Sequence, residues 1–256
     1  KRPLRRHYGM KAAIVGGTGT LGRQVASELR ARDHDVRILS RNAPEYRVNL
    51  ATGEGLDTAL AGCEVVIDAS NNSSKTAATT LVEGSRRLLS AAVMAGVAHH
   101  VCVSVVGCER VPVGYFQVKA QQEEVVEGGQ VPWTIVRATQ FHEYAAATLE
   151  SAARWRVVPV PQVQLQTVSS AEVARVIADV AEHGPRRARV EVAGPEVITA
   201  RELTATWRRA TGRKVAVFPV RLPGKLGRAL RGGALTNPRP AVLGTQPFSV
   251  WLEATT

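Results

Sequence analysis

The sequence predicts an α/β fold, with a doubly wound, mostly parallel sheet and a small C-terminal subdomain. Short apolar runs lack the polar alternation of half-exposed strands, so they fit strands that helices cover on both faces. Segments with apolar residues at helical spacing separate these runs. A glycine-rich stretch ends the first run and opens the first helical segment. This alternation is typical of Rossmann-type folds with right-handed crossovers.

The elements follow one another along the chain. Strands are predicted over residues 11–16, 35–40, 64–69, 100–106, 133–137 and 189–193. Helices are predicted over residues 21–32, 56–60, 79–95, 115–127, 171–182 and 199–211. Thr199 and Glu202 have the spacing of a capping box, which predicts where the last of these helices begins.

Composition limits the classes of protein that fit. The chain has 256 residues, 45% hydrophobic and 21% charged, as in ordinary globular proteins. It has neither an apolar run near the roughly 20 residues of a membrane span nor a recognisable signal peptide. Cys63, Cys102 and Cys108 lack metal-ligand spacing. We therefore expect free thiols, a cytoplasmic location, no membrane partner and no metal.

The net charge of +11 raises the question of nucleic-acid binding. Lys1, Arg2, Arg5 and Arg6 lie in a tail before Met10, and the other arginines are scattered along predicted helices. We therefore expect a small-molecule substrate and no nucleic acid, in a monomer or homodimer.

Residues 16–22 are Gly-Gly-Thr-Gly-Thr-Leu-Gly. Glycines at 16, 19 and 22 suit the three needs of a dinucleotide loop: a tight turn, close approach of the backbone to a pyrophosphate, and close packing of helix on strand. Amides at the start of the following helix would face the phosphates. A glycine turn without a ligand is the competing interpretation, and the flanking strand and helix argue against it.

The end of the second strand bears on the choice of cofactor. NAD-binding proteins usually place an acidic residue there, whereas this chain has Ser40 and Arg41. Asp33 and Asp35 precede the strand and lie at its other end. A guanidinium can bind the 2′-phosphate of NADP, so we predict NADP(H), with a solvated surface arginine as the competing interpretation.

Tyr115 and Lys119 lie one turn apart on a single face of a predicted helix. A nearby ammonium lowers the pKa of a phenol, which would make Tyr115 a usable general acid for an oxygen whose carbon receives hydride. Ser104, near the end of the preceding strand, could hold the same oxygen. We predict these three residues as catalytic, although Tyr-x-x-x-Lys also occurs by chance.

From Met10 to Leu252 the chain resembles the atypical short-chain dehydrogenases/reductases of the NmrA-like, NAD(P)H-binding group. The resemblance rests on GGTGTLG (16–22), ILSR (38–41), VIDAS (66–70), VSVVG (103–107), YFQVKAQQEEVV (115–126), PWTIVRATQFHE (132–143), VSSAEVARVIADV (168–180) and FSVWL (248–252). Many members of this group lack the tyrosine and some are redox sensors, so the intact pair favours catalysis here.

The resemblance implies roles for individual residues. Cofactor-binding residues would be Gly16, Thr18, Gly19, Thr20, Leu21, Gly22, Ser40, Arg41, Asn49, Leu50, Ala69, Ser70, Asn71, Lys119, Ala138, Thr139 and Phe141. Substrate-contacting residues would be Ser104, Tyr115, Gln140, Phe141 and His142. Asn49 replaces the aspartate that the family often has beside the adenine, and it can still form hydrogen bonds.

These observations lead to one division of the chain and one leading function. Residues 1–9 are an N-terminal tail, 10–158 a dinucleotide-binding Rossmann core, and 159–256 mostly a substrate subdomain whose strand near 189–193 returns to the sheet. We predict an NADP(H)-dependent reductase that transfers hydride to a carbonyl, imine or conjugated double bond. The alternatives are an NADP(H)-sensing regulator without chemistry and, ranked last, a nucleotide-sugar epimerase or isomerase.

Several other residues are interpreted as structural. His99 and His100 are expected in a solvated turn, and Glu123 and Glu124 at the surface. The four tryptophans are expected to serve packing: Trp133, Trp155, Trp207 and Trp251.

Overall fold

The computed structural model describes residues 9–111 and 113–255, so most of the predicted tail lies outside the described residues. Its strands are β1 (Lys11–Val15), β2 (Asp35–Ser40), β3 (Tyr46–Arg47), β4 (Val65–Asp68), β5 (His99–Val105), β6 (Trp133–Ala138), β7 (Val157–Pro161), β8 (Gln164–Leu165), β9 (Arg189–Ala193), β10 (Ile198–Thr199), β11 (Ala216–Val220) and β12 (Val242–Leu243). Its α-helices are α1 (Thr20–Ala31), α2 (Leu56–Leu60), α3 (Gly84–Met94), α4 (Gly114–Glu127), α5 (His142–Ala153), α6 (Ser170–His183), α7 (Ala200–Thr211), α8 (Gly224–Arg231) and α9 (Phe248–Thr255).

Eight strands form a sheet in the order β12-β9-β6-β5-β4-β1-β2-β3. The pairs β1–β2, β1–β4, β2–β3, β4–β5, β6–β9 and β9–β12 are all parallel. This mostly parallel sheet confirms the predicted Rossmann-type class. The strand order reverses between β1 and β4, and such a reversal opens a crevice at the carboxyl ends of the strands.

The registers bring those carboxyl ends level with one another. Val15 at the end of β1 is opposite Leu39 of β2 and Asp68 of β4. The residues that follow each strand therefore gather at one edge of the sheet, where the sequence places its glycine loop, Ser40 and Ala69.

Some local predictions were wrong. His99 and His100 are not in a solvated turn: they are the first residues of β5 and are buried, because β5 begins one residue earlier than predicted. The predicted helix over 79–95 begins with a π-helical turn, Thr79–Glu83, before α3. Trp155 is 84% exposed, so it does not serve the core.

The chain divides into two compact units, and each is described by itself. Unit 1 contains the described residues up to Cys102, together with Val125–Thr134 and Ala174–Arg187. Unit 2 contains Val103–Glu124 apart from residue 112, Ile135–Val173, and residues 188–255. No helix within the described ranges combines the length and the apolar character that crossing a membrane requires.

The core of unit 2 outside the large sheet is built around α7. Trp207 on this helix is 1% exposed and packs in an apolar cluster with Leu203, Val158 and Phe248. The capping box at the start of α7 is present as predicted, because the Thr199 side chain accepts from the Glu202 amide and the Glu202 carboxylate accepts from the Thr199 amide.

We expect Thr199→Ala to lower the free energy of unfolding by about 1 kcal/mol, because the amide of Glu202 loses its acceptor. Urea unfolding followed by tryptophan fluorescence would measure the change. Thr206→Ala, in the middle of the same helix, is the control and should cost nothing, since alanine is the better helix former there. Equal losses in the two variants would contradict the capping role.

Candidate active site

The glycine loop of unit 1 has the geometry that the sequence predicted. Gly16 has φ of 74°, in the left-handed region, and a Cβ there would lie 2.7 Å from the Ala69 carbonyl oxygen. At Gly22 a Cβ would lie 2.3 Å from the Gly16 oxygen, so α1 packs against the loop at a distance that only glycine allows. The Gly16 amide donates to Leu39 O at 2.9 Å, which fixes the loop to the end of β2.

The start of α1 suits a phosphate. Gly19 is its N-cap and provides no side-chain cap, and its first turn contains no acidic residue. The first amides of a helix have no acceptor within it, and together with the helix dipole they attract an anion. Thr18, Gly19 and Thr20 are exposed, whereas Leu21 and Gly22 are buried and could contribute only backbone amides. The Gly19 amide donates to Gly16 O at 2.9 Å, and the amides of Thr18, Thr20, Leu21 and Gly22 fit a pyrophosphate.

The end of β2 carries two basic residues rather than one. Arg41 is exposed, and Arg47 of β3, paired in register with Ser40, donates from Nε to the Arg41 carbonyl oxygen at 2.9 Å. Ser40 Oγ accepts from the Asn42 amide at 3.2 Å. Sequence reasoning missed Arg47 because β3 has only two residues and gives no periodic signal.

The end of β4 supplies a hydroxyl that has no partner. The Ser70 amide donates to Asp68 Oδ1 at 3.0 Å, while the buried Ser70 Oγ has no hydrogen-bond partner among the described residues. A buried hydroxyl without a partner costs free energy, so its presence beside the Gly16 turn fits a ligand that supplies one. Asn71 follows in the same loop.

Asn49 and Leu50 take structural positions near β3. Leu50 is buried, and the Asn49 side-chain oxygen accepts from the Ala51 amide at 3.1 Å. The adenine contact that the resemblance implies would therefore use the amide nitrogen of Asn49 or the surface of this loop.

In unit 2, Tyr115 and Lys119 lie on the first two turns of α4, as predicted. Lys119 is buried, and its Nζ donates to Val103 O at 2.7 Å and to the Gln122 side-chain oxygen. The ammonium is thus held in place by fixed acceptors. Tyr115 is half-buried, and its ring contacts Phe116 edge-on at 5.5 Å.

The predicted direction of the Tyr115 pKa shift was wrong. Burial raises the pKa of this phenol, Lys119 lowers it by less, and the net pKa lies above the ordinary value. Burial disfavours the charged form of any acid, and this effect outweighs one nearby cation. The raised pKa makes Tyr115 a weaker acid than a free tyrosine, and the nearby Lys119 partly offsets this effect of burial.

Ser104 is buried, and its hydroxyl helps to lower the pKa of Glu123. Its oxygen lies 3.9 Å from Cys108 Sγ, and either atom could be the donor.

Glu123 was expected at the surface, and that expectation was wrong. It is 2% exposed and forms a bidentate pair with Arg137, at 2.9 and 2.6 Å, while Arg189 Nε donates to it at 3.0 Å. Burial would raise the pKa of Glu123, but hydrogen bonds from Arg137, Ser104 and Arg189 hold it below its ordinary value. The carboxylate is therefore charged and joins α4 to β5, β6 and β9.

The residues after β6 are held by polar contacts. Thr139, which directly follows Ala138, is buried, and its Oγ1 accepts a hydrogen bond from the Gly194 amide at 3.2 Å. The Gln140 side chain donates to Leu235 O at 2.9 Å and accepts from the Gln166 amide at 3.0 Å. Phe141, half-buried, is the N-cap of α5.

His142 is fully buried, which disagrees with the expected contact to substrate. Its Nδ1 bonds to Thr167 Oγ1 at 2.9 Å, and its Nε2 donates to Gln246 O at 2.9 Å. Burial lowers its pKa, so the ring is neutral, and it packs against Phe248 and Trp251. Both ring nitrogens already have hydrogen-bond partners. In this conformation His142 therefore joins segments of unit 2 to one another and has no nitrogen available for a ligand.

One group of described side chains could hold a metal ion: Asp68, His100 and Cys102, whose ligand atoms lie within 4.8 Å of one another. All three are fully buried. Asp68 already accepts from the Ser70 amide and from Ser85 Oγ, at 3.0 and 3.4 Å. That the protein needs no metal stays a prediction. Cys63, Cys102 and Cys108 are buried free thiols, as expected.

Comparison with known proteins agrees with this geometry. A family model described as NAD(P)H-binding matches residues 16–184. A reductase of Streptomyces griseus, (4-alkanoyl-5-oxo-2,5-dihydrofuran-3-yl)methyl phosphate reductase, is 32% identical over 220 residues, covering 78% of this chain and 73% of that protein. The chain therefore belongs to the NAD(P)H-binding oxidoreductase family, as its resemblance to the atypical short-chain dehydrogenases/reductases implied.

Two further similarities bear on function and fold. Photosystem II assembly factor Ycf39 of Synechocystis is 26% identical over 234 residues, covering 82% of this chain and 71% of that protein. The crystal structure of an NADPH-dependent quinone oxidoreductase from Escherichia coli, in complex with NADPH, superposes with a TM-score of 0.75 at 18% identity. It covers 95% of this chain and 99% of that one, and at this identity the likeness shows the fold alone.

We expect Glu123→Gln to lower the free energy of unfolding by about 3 kcal/mol, because the buried Arg137 guanidinium loses its shortest ion pair and keeps only the longer ones to Glu109 and Glu191, at 3.2 and 3.3 Å. The adjacent exposed residue provides the control, and Glu124→Gln should stay within about 0.5 kcal/mol of the wild type. Urea denaturation at neutral pH measures both. Similar stability of the two variants would show that the network is not structural.

The same pair of proteins gives a pH test. In the unfolded chain the pKa of Glu123 should be about 4.3, and in the folded protein it is lower. The charged Glu123 therefore stabilises the fold fully above the unfolded pKa, and this stabilisation is lost as the pH falls through the folded pKa. The stability difference between wild type and Glu123→Gln should therefore be constant near neutrality and shrink on acidification. A difference that grows in acid would contradict the assignment.

Proposed function

We propose that the protein is an NADP(H)-dependent reductase that delivers hydride and a proton to a carbonyl, imine or conjugated double bond of a small organic molecule. The observation that carries the proposal is the placement of Tyr115 on α4, one turn from the buried Lys119. A phenol beside a cation can give its proton to the oxygen of a substrate whose carbon receives hydride, because the cation stabilises the phenolate that is left.

The glycine loop would bind the cofactor's phosphates. Backbone amides at Thr18, Thr20, Leu21 and Gly22 would hold the pyrophosphate, Gly19 would lie against it, and the Ser70 hydroxyl would gain the partner it lacks. Ser40 and Arg41 would bind the 2′-phosphate, with Arg47 beside them. The remaining contacts implied by the resemblance are Gly16, Asn49, Leu50, Ala69, Asn71, Lys119, Ala138, Thr139 and Phe141. When bound, NADPH supplies hydride from nicotinamide C4.

The chain itself would manage the proton. As the substrate carbon gains hydride, its oxygen would take the proton of the Tyr115 hydroxyl, and the resulting phenolate would be stabilised by the Lys119 ammonium. Val103 O and Gln122 hold that ammonium, so its position would not depend on a flexible chain. Ser104 would orient the substrate oxygen, and Gln140 and Phe141 would contact the substrate.

The relatives support a small-molecule substrate. The name of the Streptomyces griseus protein describes the reduction of a phosphate ester that carries an acyl-substituted unsaturated ring, and a further relative in Xenophilus azovorans is named as an NAD(P)H azoreductase. Both names describe the reduction of small organic molecules, and the second names NAD(P)H. We place this reaction in the cytoplasm because the three cysteines are free thiols.

A second candidate is a protein that binds NADP(H) and assists a partner without chemistry. The similarity to a photosystem II assembly factor favours it. The intact Tyr115 and Lys119 favour the reductase. The two candidates predict different effects of removing the Tyr115 hydroxyl: a reductase would lose turnover, and a protein without chemistry would have none to lose.

Tyr115→Phe should reduce turnover by about a hundredfold or more, because the proton donor is gone, while the affinity for NADPH stays unchanged. NADPH oxidation with a panel of quinones, azo dyes and unsaturated carbonyl compounds, together with NADPH titration, measures the two properties. Tyr46→Phe is the control, since Tyr46 keeps its ring contact with Arg37 and has no proposed catalytic role. Full turnover in Tyr115→Phe would eliminate the proposed mechanism.

Arg41→Ala should weaken NADPH binding about tenfold and leave NADH binding unchanged, because only NADPH has the 2′-phosphate. The exposed Arg86 of α3 offers a matched control, and Arg86→Ala should change neither affinity. Titration of each variant with both nucleotides gives the four constants. If the wild type prefers neither nucleotide, the NADP(H) assignment fails.

A further inference from the structure

Unit 2 contains a cavity with a volume of about 710 Å³, and none of its lining residues is among those named for the proposed reaction. Small-molecule sites in proteins typically have volumes of about 300–1,000 Å³, so the cavity has the size of a ligand site. It is lined by residues of β7, α7 and β11, by the chain between β7 and β8, and by Arg231 at the end of α8.

The wall formed by the strands is apolar. Val160 and Val163 are buried, and Val217 and Pro219 of β11 complete this side. Burial of an apolar group against such a wall would contribute about 25 cal/mol for each Å² removed from water. The wall therefore fits an organic body rather than an inorganic ion.

Helix α7 forms a basic wall. Arg201, Thr204, Ala205 and Arg208 line the cavity at positions i, i+3, i+4 and i+7, which is one face of a helix. Neither Arg201 nor Arg208 forms a hydrogen bond or an ion pair with the described residues. Glu202, the acidic residue between them, is occupied in the capping box with Thr199.

A third guanidinium is fixed at the cavity. Arg231 Nη1 donates to Leu222 O at 2.8 Å, which orients this side chain and leaves its other nitrogens available. Arg231 also lines an adjoining groove of about 440 Å³ with Arg221 and Arg228.

The surrounding segment is strongly basic, and this clustering differs from the scattered arrangement expected from the sequence. Residues 200–233 include nine lysine and arginine residues and one acidic residue. No carboxylate lines the cavity within the described residues. Like charges near one another repel, and an anion placed among them would relieve that repulsion.

We propose that this cavity binds a small organic anion, with a phosphate or carboxylate head on Arg201, Arg208 and Arg231 and an apolar body on the valines. Guanidinium groups bind such heads through paired hydrogen bonds. A nucleic acid would need the cations but not the buried apolar wall, and a flat membrane surface would not fill a concave site. The site goes beyond the proposed reduction and stands whether or not the chain is a reductase.

The test is isothermal titration of the full chain with octyl phosphate below its critical micelle concentration. We expect saturable binding that is at least tenfold tighter than for octanol or for inorganic phosphate, because each of these lacks one half of the ligand. Arg201→Ala and Arg208→Ala should each weaken it about tenfold. Arg209→Ala, on the same helix but outside the cavity, should bind like the wild type.

A second variant separates the cavity from surface charge. Ala205 is exposed and lines the cavity, so Ala205→Trp should fold normally, keep every cation and abolish binding by filling the space. Binding of octyl phosphate that survives Ala205→Trp, or that Arg209→Ala weakens as much as Arg201→Ala, would overturn the proposal. So would tighter, Arg201-dependent binding to acidic lipid vesicles or duplex DNA than to octyl phosphate.

Discussion

Helix α1 can begin where it does because residue 22 has no side chain. A Cβ at Gly22 would lie 2.3 Å from the Gly16 oxygen, and one at Gly16 would lie 2.7 Å from Ala69 O. Because both residues are glycine, the backbone packs closely enough for the first amides of α1 to lie at the carboxyl end of β1. That end is level with the ends of β2 and β4. The proposed phosphate site of unit 1 depends on this close packing.

Unit 2 depends on a buried charge in a comparable way. The Glu123 carboxylate accepts hydrogen bonds from Arg137 and Arg189, so α4 is tied to β6 and β9. A buried carboxylate persists only with such partners. On the same helix, burial raises the pKa of Tyr115 and Lys119 opposes that rise. Val103 O holds the Lys119 side chain in place, which is an arrangement suited to stabilising a phenolate.

Much of the fold could be predicted because its signals are local. Apolar runs predicted six of the eight strands of the large sheet to within a residue or two, and missed the two-residue strands β3 and β12. Glycine spacing predicted the loop, and Thr199 with Glu202 predicted the start of α7. The errors concern partners that are distant in sequence. Glu123 can be buried because it pairs with Arg137 and Arg189. These partners lie 14 and 66 residues away in sequence, so the residue pattern of α4 does not predict the pairing. The pKa of Tyr115 is raised because the folded chain buries its side chain. The sequence spacing between Tyr115 and Lys119 does not predict that burial.

The central claim is that residues 18–22 and Tyr115 serve one reduction with NADPH, and the most direct measurement is a crystal structure of the full chain with NADPH bound. The account predicts pyrophosphate oxygens about 3 Å from the amides of residues 18–22, a hydrogen bond from Ser70 Oγ to the cofactor, and open space beside nicotinamide C4 that the Tyr115 hydroxyl reaches. A nicotinamide whose reactive face is covered by side chains, or that lies out of reach of Tyr115, would contradict it.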